Sequence, residues 1–219
     1  MSPGSASCAT LALRNPVKLA HDPATLAFYA AEATSYTSVR PDSVAPHLSA
    51  FLNRLLPGAS ILELGCGGGC DAEYMIERGF AVEPTDGVAE TAAQAEARLG
   101  RPVRVMRFDQ LDAVERYDAV VANASLLHVP QVALADVLAR VWRALRPGGW
   151  HLASYKTGGP AGYDEFGRYY NRPSKAQAEA MYRDAGVWSD YQVEESFEPG
   201  YFGKPSAWLK IVARKAMTD

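Results

Sequence analysis

The stretch Ile61-Leu62-Glu63-Leu64-Gly65-Cys66-Gly67-Gly68-Gly69 joins an apolar run to a turn with glycine at alternate positions. Without Cβ atoms at Gly65, Gly67 and Gly69, such a turn takes positive φ and lays its amide donors directly against a ligand. Asp71 to Arg78 then reads as a helix whose positive end faces the same spot. Other residues have the types and places to do chemistry. Asp86 ends a second apolar run, seventeen residues after Gly69, where a βαβ nucleotide fold puts its ribose-binding carboxylate. It could equally cap the helix that begins near Val88. His128 follows a fourth apolar run, and an imidazole ordinarily titrates near neutrality, which would help if the acceptor is a hydroxyl and makes His128 the leading candidate for a general base. The alternative for His128 is a plain hydrogen bond to a loop carbonyl. Lys156, Arg168, Tyr169 and Tyr170 stand in or beside a segment holding Gly158, Gly159, Gly162 and Gly167, which reads either as a cover for a ligand or as a long surface connection.

Spacing separates two nucleotide-binding readings. The dinucleotide fingerprint G-x-G-x-x-G starting at Gly65 needs glycine at position 70, where Cys70 stands. The pattern acidic-x-G-x-G-x-G is matched by Glu63, Gly65, Gly67 and Gly69. With it the chain resembles the class I S-adenosylmethionine (SAM) dependent methyltransferases, although a glycine turn also serves other nucleotides or a tight connection. The phrases Asn123-Ala124-Ser125-Leu126-Leu127-His128-Val129-Pro130 and Leu145-Arg146-Pro147-Gly148-Gly149 are similar to a small-molecule branch that includes tellurite-resistance-type methyltransferases. The likeness runs from about Phe28 to Arg214 and departs at Asn123.

The resemblance implies a cofactor site made by Glu63, Gly65, Cys66, Gly67, Gly69, Asp86, Gly87, Asn123 and Ala124. It also implies that Asp109 accepts from the adenine amino group while the Gln110 N–H reaches the ring nitrogen. The segment Phe28 to Arg40 looks like the lid entry of this branch. There Tyr29 and Tyr36 would share a face if the helix continued, and Arg40 would pair bidentately with the methionine carboxylate. Two packed tyrosines and a solvated arginine are the alternative. Catalysis falls to His128 and Arg168, with SAM as methyl donor and S-adenosylhomocysteine as product. No covalent nucleophile is needed, because the donor carries an activated methyl group and alignment of the acceptor does most of the work.

The elements that must position these residues alternate β and α from Ser60 to Tyr155 without a linker or charge block, so we expect one doubly wound, Rossmann-like domain. Its mostly parallel seven-stranded sheet, with helices on both faces, would close with an antiparallel hairpin of Tyr191–Phe197 and Ala207–Val212. Strands are expected at Ile61–Leu64, Phe80–Thr85, Val103–Phe108, Tyr117–Ala122 and Trp150–Tyr155, and helices from Asp22 to Ala33, Ser43 to Leu55, Val88 to Leu99, through Leu134–Leu145, and Ser174 to Ala185. Trp142 belongs to the apolar stripe of the helix ending at Leu145, which favours core packing over ligand stacking. Residues 1–21 are expected to be a flexible segment and 22–219 a single domain, with 22–56 forming a helical lid.

Composition narrows the class. Apolar residues make up 48% of the 219, and no run approaches the roughly 18 of a membrane span. Met1 to Ala20 carries Arg14, Asn15 and Lys18 where a secretory signal needs apolar residues, so a cytoplasmic protein is expected. Cys8, Cys66 and Cys70 form neither a disulfide framework nor a zinc pattern, so no metal is expected. A net charge of −3 without a basic track disfavours nucleic acid. The expected partner is a small-molecule methyl acceptor, the assembly a monomer or homodimer. A SAM-binding sensor without catalysis and a nicotinamide oxidoreductase are the rivals, the latter disfavoured by Cys70.

Overall fold

The computed structural model describes residues 19–38, 45–199 and 205–217. The expectations for Arg40, Cys8, most of the N-terminal segment and the tip of the C-terminal hairpin lie outside the described residues.

Strands β1 (Ser60–Leu64) and β4 (Tyr117–Ala122) run through the centre of the molecule, and their side chains are buried on both faces, as a parallel sheet covered by helices demands. The seven-stranded sheet has the order β3-β2-β1-β4-β5-β9-β8, with β2 (Ala81–Asp86), β3 (Arg104–Val105) and β5 (Leu145–Thr157) parallel to the centre. Strand β9 (Pro205–Lys215) pairs antiparallel with β5 and β8 (Trp188–Pro199) antiparallel with β9. This is the expected doubly wound sheet with a terminal hairpin. A small pair, β6 (Gly162–Tyr163) with β7 (Tyr169–Tyr170), orders the glycine-rich stretch after β5.

Helices α1 (Pro23–Ala31), α2 (Ala33–Ser38) and α3 (Pro46–Leu52) precede the sheet; α4 (Cys70–Glu77), α5 (Ala89–Leu99), α6 (Gln131–Ala144) and α7 (Lys175–Ala185) alternate with its strands. Asp22 caps α1 by accepting from the Thr25 amide, with Pro23 at the first helical position. Ser174 and Gln177 form a capping box on α7. On α6, Leu134, Val137, Leu138 and Val141 pack on the sheet. Trp142, in the same helix, lies against Gly186, where a Cβ would stand 2.5 Å from the indole, and its N–H donates to the Val187 carbonyl. It is a packing residue.

Several elements differ in extent from expectation. Strand β3 keeps only two residues, since the chain turns into a 3₁₀ turn at Phe108–Gln110. The first helix ends at Ala31, close to the expected Ala33, and α2 follows it, so that the Tyr29 and Tyr36 rings meet at 4.9 Å, edge to face, without one continuous helix. Strand β5 begins at Leu145: Leu145 pairs with Tyr117 and the next pair is Trp150 with Ala119, so Pro147, Gly148 and Gly149 are absorbed as an irregularity within the strand.

Candidate functional site

Both sides of the site lie beyond the carboxyl ends of β1, β2, β4 and β5, where strand order reverses in such a sheet. The glycine turn forms its floor. Gly65 takes φ +74°, and a Cβ there would stand 2.6 Å from the Ser125 Cβ, so only glycine lets the turn after β1 pass the end of β4. The Gly65 and Cys66 amides donate to the Thr85 carbonyl, tying the turn to β2. Gly67, at φ +55°, lies open beside the Tyr36 ring, 3.6 Å from where its Cβ would be.

Three carboxyl groups converge on this turn. Asp86, 8% exposed, accepts from the Gly67 amide at 3.0 Å through Oδ2 and from the Val88 amide at 2.9 Å through Oδ1. It therefore caps the α5 entry and grips the glycine turn together, while each oxygen keeps a second lone pair for a ligand hydroxyl. Burial pushes its carboxyl up to about 6. Glu63 is 2% exposed with Oε2 unpartnered, and burial, reinforced by Asp71 and Asp86, pushes it well above the usual carboxylate range. Burial also raises Asp71, whose carboxylate accepts from the Asn123 side-chain amide at 2.8 Å. A concentration of buried acids with an unanswered oxygen favours a cationic ligand group. The sulfonium and ammonium of SAM meet that demand.

Two cavities open from the turn. The smaller, about 90 Å³, runs between α1, the glycine turn and Asp86, and is walled by Tyr29, Gly87, Val88, Arg107, Phe108 and Ala124 among others. The larger, about 1490 Å³, includes Glu63, Cys66, Asp71, Asn123 and His128 and extends to Lys156, Arg168, Tyr170 and Trp208. Tyr29, Tyr36, Gly65, Gly67, Ala124 and His128 border both. Gly69 is instead the left-handed cap of α4, packed near Ala95 and Leu99. Asp109 and Gln110 line neither cavity: Asp109 pairs with Arg107 at 3.2 Å, and the Gln110 side chain caps the 3₁₀ turn by accepting from the Arg107 amide. Arg107 and Phe108 stand on the wall in their stead, because the chain leaves β3 early. Cys66 is buried and forms no disulfide, with its thiol pushed up by that burial, and no metal-holding cluster occurs among the described residues.

On the other wall, Asn123 ends β4 as the hub of a polar network. Its Oδ1 accepts from the Ser154 hydroxyl at 2.7 Å and from His47 Nε2 at 2.9 Å, while its amide reaches Asp71. Ala124 then takes a left-handed φ of +51°, unusual without glycine, and its amide donates to Ser154 Oγ. Such strain marks a position held by its surroundings.

His128 sits in the next turn with its tautomer fixed by its partners. Nδ1 lies 2.6 Å from the Tyr169 carbonyl, which can only accept, so Nδ1 carries the proton. Nε2 therefore accepts from the Tyr29 hydroxyl at 3.0 Å, and the Tyr29 oxygen accepts in turn from Arg168 Nη1 at 3.4 Å. Protein packed around the ring pushes His128 down to about 4, leaving it neutral at physiological pH. Arg168 is 4% exposed, forked onto Asp164 at 2.9 and 2.7 Å, and surrounded by Phe28, Tyr29, Phe166 and Tyr170. His128 thus makes the loop-carbonyl bond of the alternative reading, and its other nitrogen accepts from Tyr29 on the cavity wall.

Several members of this wall carry no signal in the sequence. Asn171, fully buried, donates to the Leu126 and Val129 carbonyls and fixes the turn bearing His128. His47, Ser154, Asp164 and Thr25, whose hydroxyl accepts from the Tyr169 amide, are the others. They come from separate segments without periodicity or motif.

Comparison with known proteins follows the same lines. Residues 61–149 match a family profile described as a methyltransferase domain. The ubiquinone biosynthesis O-methyltransferase of Paramagnetospirillum magneticum is 31% identical over 171 residues, 68% of this chain and 67% of that relative. The chain spans about half or less of the length of several other curated relatives. Among solved structures, the Burkholderia thailandensis 1,6-didemethyltoxoflavin-N1-methyltransferase, with bound 1,6-didemethyltoxoflavin and S-adenosylhomocysteine, superposes with a TM-score of 0.70 at 24% identity, over 93% of each chain. TehB of Haemophilus influenzae gives 0.63 at 14% identity, covering 86% of this chain and 67% of that one. At such identities these two structures speak for the fold alone.

Proposed function

This chain belongs to the S-adenosylmethionine-dependent methyltransferases, and we propose that its acceptor is a small molecule methylated on a hydroxyl oxygen. The observation that carries the reading is the hydrogen-bonded chain from Arg168 through Tyr29 to the unprotonated Nε2 of His128, at the junction of the two cavities. The glycine turn, Glu63 and Asp86 fit the cofactor, which supplies a methyl group on a sulfonium. The larger cavity takes the acceptor. An oxygen that gains a methyl group becomes a protonated ether, acidic enough to give its proton to any imidazole. A base pushed down to about 4 therefore suffices, and its neutrality at pH 7 keeps Nε2 ready. The proton passes to Nε2 across the Tyr29 hydroxyl, which gives its own proton to Nε2 as it takes the acceptor's. Arg168 acts as a positioning residue, since it is committed to Asp164 and orients Tyr29. An O-methyltransferase among the relatives supports the hydroxyl, while the likeness to small-molecule enzymes supports the acceptor's size. No helix among the described residues is long and apolar enough to cross a membrane.

The test is a labelled-methyl screen of small hydroxyl, thiol and amine compounds, followed by single-turnover rates on the best acceptor. His128→Ala should lose about 10² to 10⁴ in rate. Equal rates in parent and variant would remove His128 from the chemistry, and absence of transfer to every compound would favour a binding protein.

A further inference from the structure

The far end of the larger cavity gathers cations around one aromatic ring. Lys156 Nζ lies 4.5 Å from the centroid of Tyr170, Arg168 Cζ 5.6 Å and Arg172 Cζ 5.7 Å. Like charges so close repel one another at the low dielectric of a half-buried wall. Only Arg168 is neutralised, by Asp164; among the described residues no carboxylate lies within ion-pair reach of Lys156 or Arg172. The nearby Lys210 is satisfied by Glu198 at 2.7 Å, so cavity lysines do find carboxylates where the fold provides them. Burial, then Arg168 and Arg172, push the Lys156 ammonium below its ordinary range by more than the charge of Asp164 offsets.

A second observation is independent of charge. Trp208 stands opposite Lys156 in the β5–β9 pairing, lines the same cavity, and is 8% exposed. Its indole N–H is buried without an acceptor. Lys156 Nζ lies 5.8 Å from the indole centroid. An ammonium, a guanidinium and an indole N–H offer donors and no acceptors, so the group that answers them all is an oxyanion.

We propose that Lys156, Arg172 and the Trp208 indole form an anion subsite that holds a carboxylate of the methyl acceptor. The subsite rests on the reading of the larger cavity as the acceptor site. It narrows that reading to acceptors bearing an acidic group at the end opposite the glycine turn. Arg172 supplies the planar fork suited to a carboxylate, and its left-handed φ of +39° is a strained position of the kind found at ligand clamps. Lys156 adds a point charge above the Tyr170 ring.

Calorimetry on the full chain saturated with S-adenosylhomocysteine tests the proposal, with benzoate, citrate and inorganic phosphate as probes and benzamide as the neutral control at matched ionic strength. At least one carboxylate should bind tenfold or more tighter than benzamide. Lys156→Gln with Arg172→Gln should weaken that carboxylate at least tenfold while leaving S-adenosylhomocysteine affinity and melting temperature near the parent's. Single substitutions serve if the double variant fails to fold, each costing part of the effect. If the homocysteine complex forms but binds no carboxylate better than benzamide, or if the variants bind it as well as the parent, the subsite is overturned alone. Phosphate binding without carboxylate binding would assign the cations to a free inorganic ion and overturn the acceptor carboxylate. Failure of S-adenosylhomocysteine itself to bind would overturn the cofactor assignment and this proposal with it.

Discussion

The two walls of the site are built in different ways. The wall we propose for the cofactor is made of neighbours: the turn of residues 65–69 hangs on Thr85 and Asp86, and its polar groups are backbone amides, the buried Glu63 and Asp86 and the half-buried Asp71. The wall we propose for the acceptor is made of strangers. Tyr29 reaches His128 across 99 positions, Arg168 reaches Tyr29 across 139, and Thr25 holds the Tyr169 amide across 144. A wall of backbone geometry serves one ligand and resists change, whereas a wall of long-range side chains can be rebuilt residue by residue for a new acceptor without touching the cofactor. This is the separation of binding from specificity that a fold with many chemistries requires.

Substitutions confined to one wall sharpen or break this comparison. The largest effect is expected at the turn. Gly67→Val places a branched side chain at φ +55° beside Tyr36 and should raise the dissociation constant for S-adenosylhomocysteine more than 100-fold, measured by calorimetry. Retained affinity would mean that the cofactor does not lie on the turn.

A smaller effect concerns pH. Asp86 has its carboxyl pushed up to about 6 in the free protein, and accepting hydrogen bonds from a ligand favours the ionised form. Affinity for S-adenosylhomocysteine should therefore be level above pH 7 and fall several-fold as pH drops through 6. The same raised value makes the ionised carboxylate a cost to folding: the contribution to stability present below pH 3.8 is lost as pH rises through 6. A flat affinity profile from pH 7 to 5 would show that Asp86 makes no contact with the ligand.

The difference between the walls also explains what the sequence discloses. Local patterns announce β1, β4 and the glycine turn, because an apolar run and alternating glycines need no distant partner to be read. The hairpin of β8 and β9 is legible for the same reason, although each strand extends several residues beyond its β-rich stretch. Asp86 is foreseen both as ribose carboxylate and as cap, and its geometry accommodates the two together. Asp109 and Gln110 are not placed on the cavities, because β3 stops at Val105 and a 3₁₀ turn rotates Arg107 and Phe108 onto the wall. His128 is visible as a residue type, but its fixed tautomer depends on Tyr169 and Tyr29, which only folding brings near. Asn171, which clamps its turn, has no local sign at all.

The separation of the two walls is tested most directly by titrating S-adenosylhomocysteine into the parent, Asp86→Asn and His128→Ala proteins side by side. Loss of a charged acceptor costs about 1.5 to 3 kcal/mol per hydrogen bond, so Asp86→Asn should bind roughly ten- to hundredfold more weakly. His128→Ala should stay within about threefold of the parent, since its ring bonds only Tyr29 and the Tyr169 carbonyl and touches none of the groups that hold the glycine turn. A His128→Ala protein that folds but loses as much affinity as Asp86→Asn would contradict the account, because the two walls would then be one site.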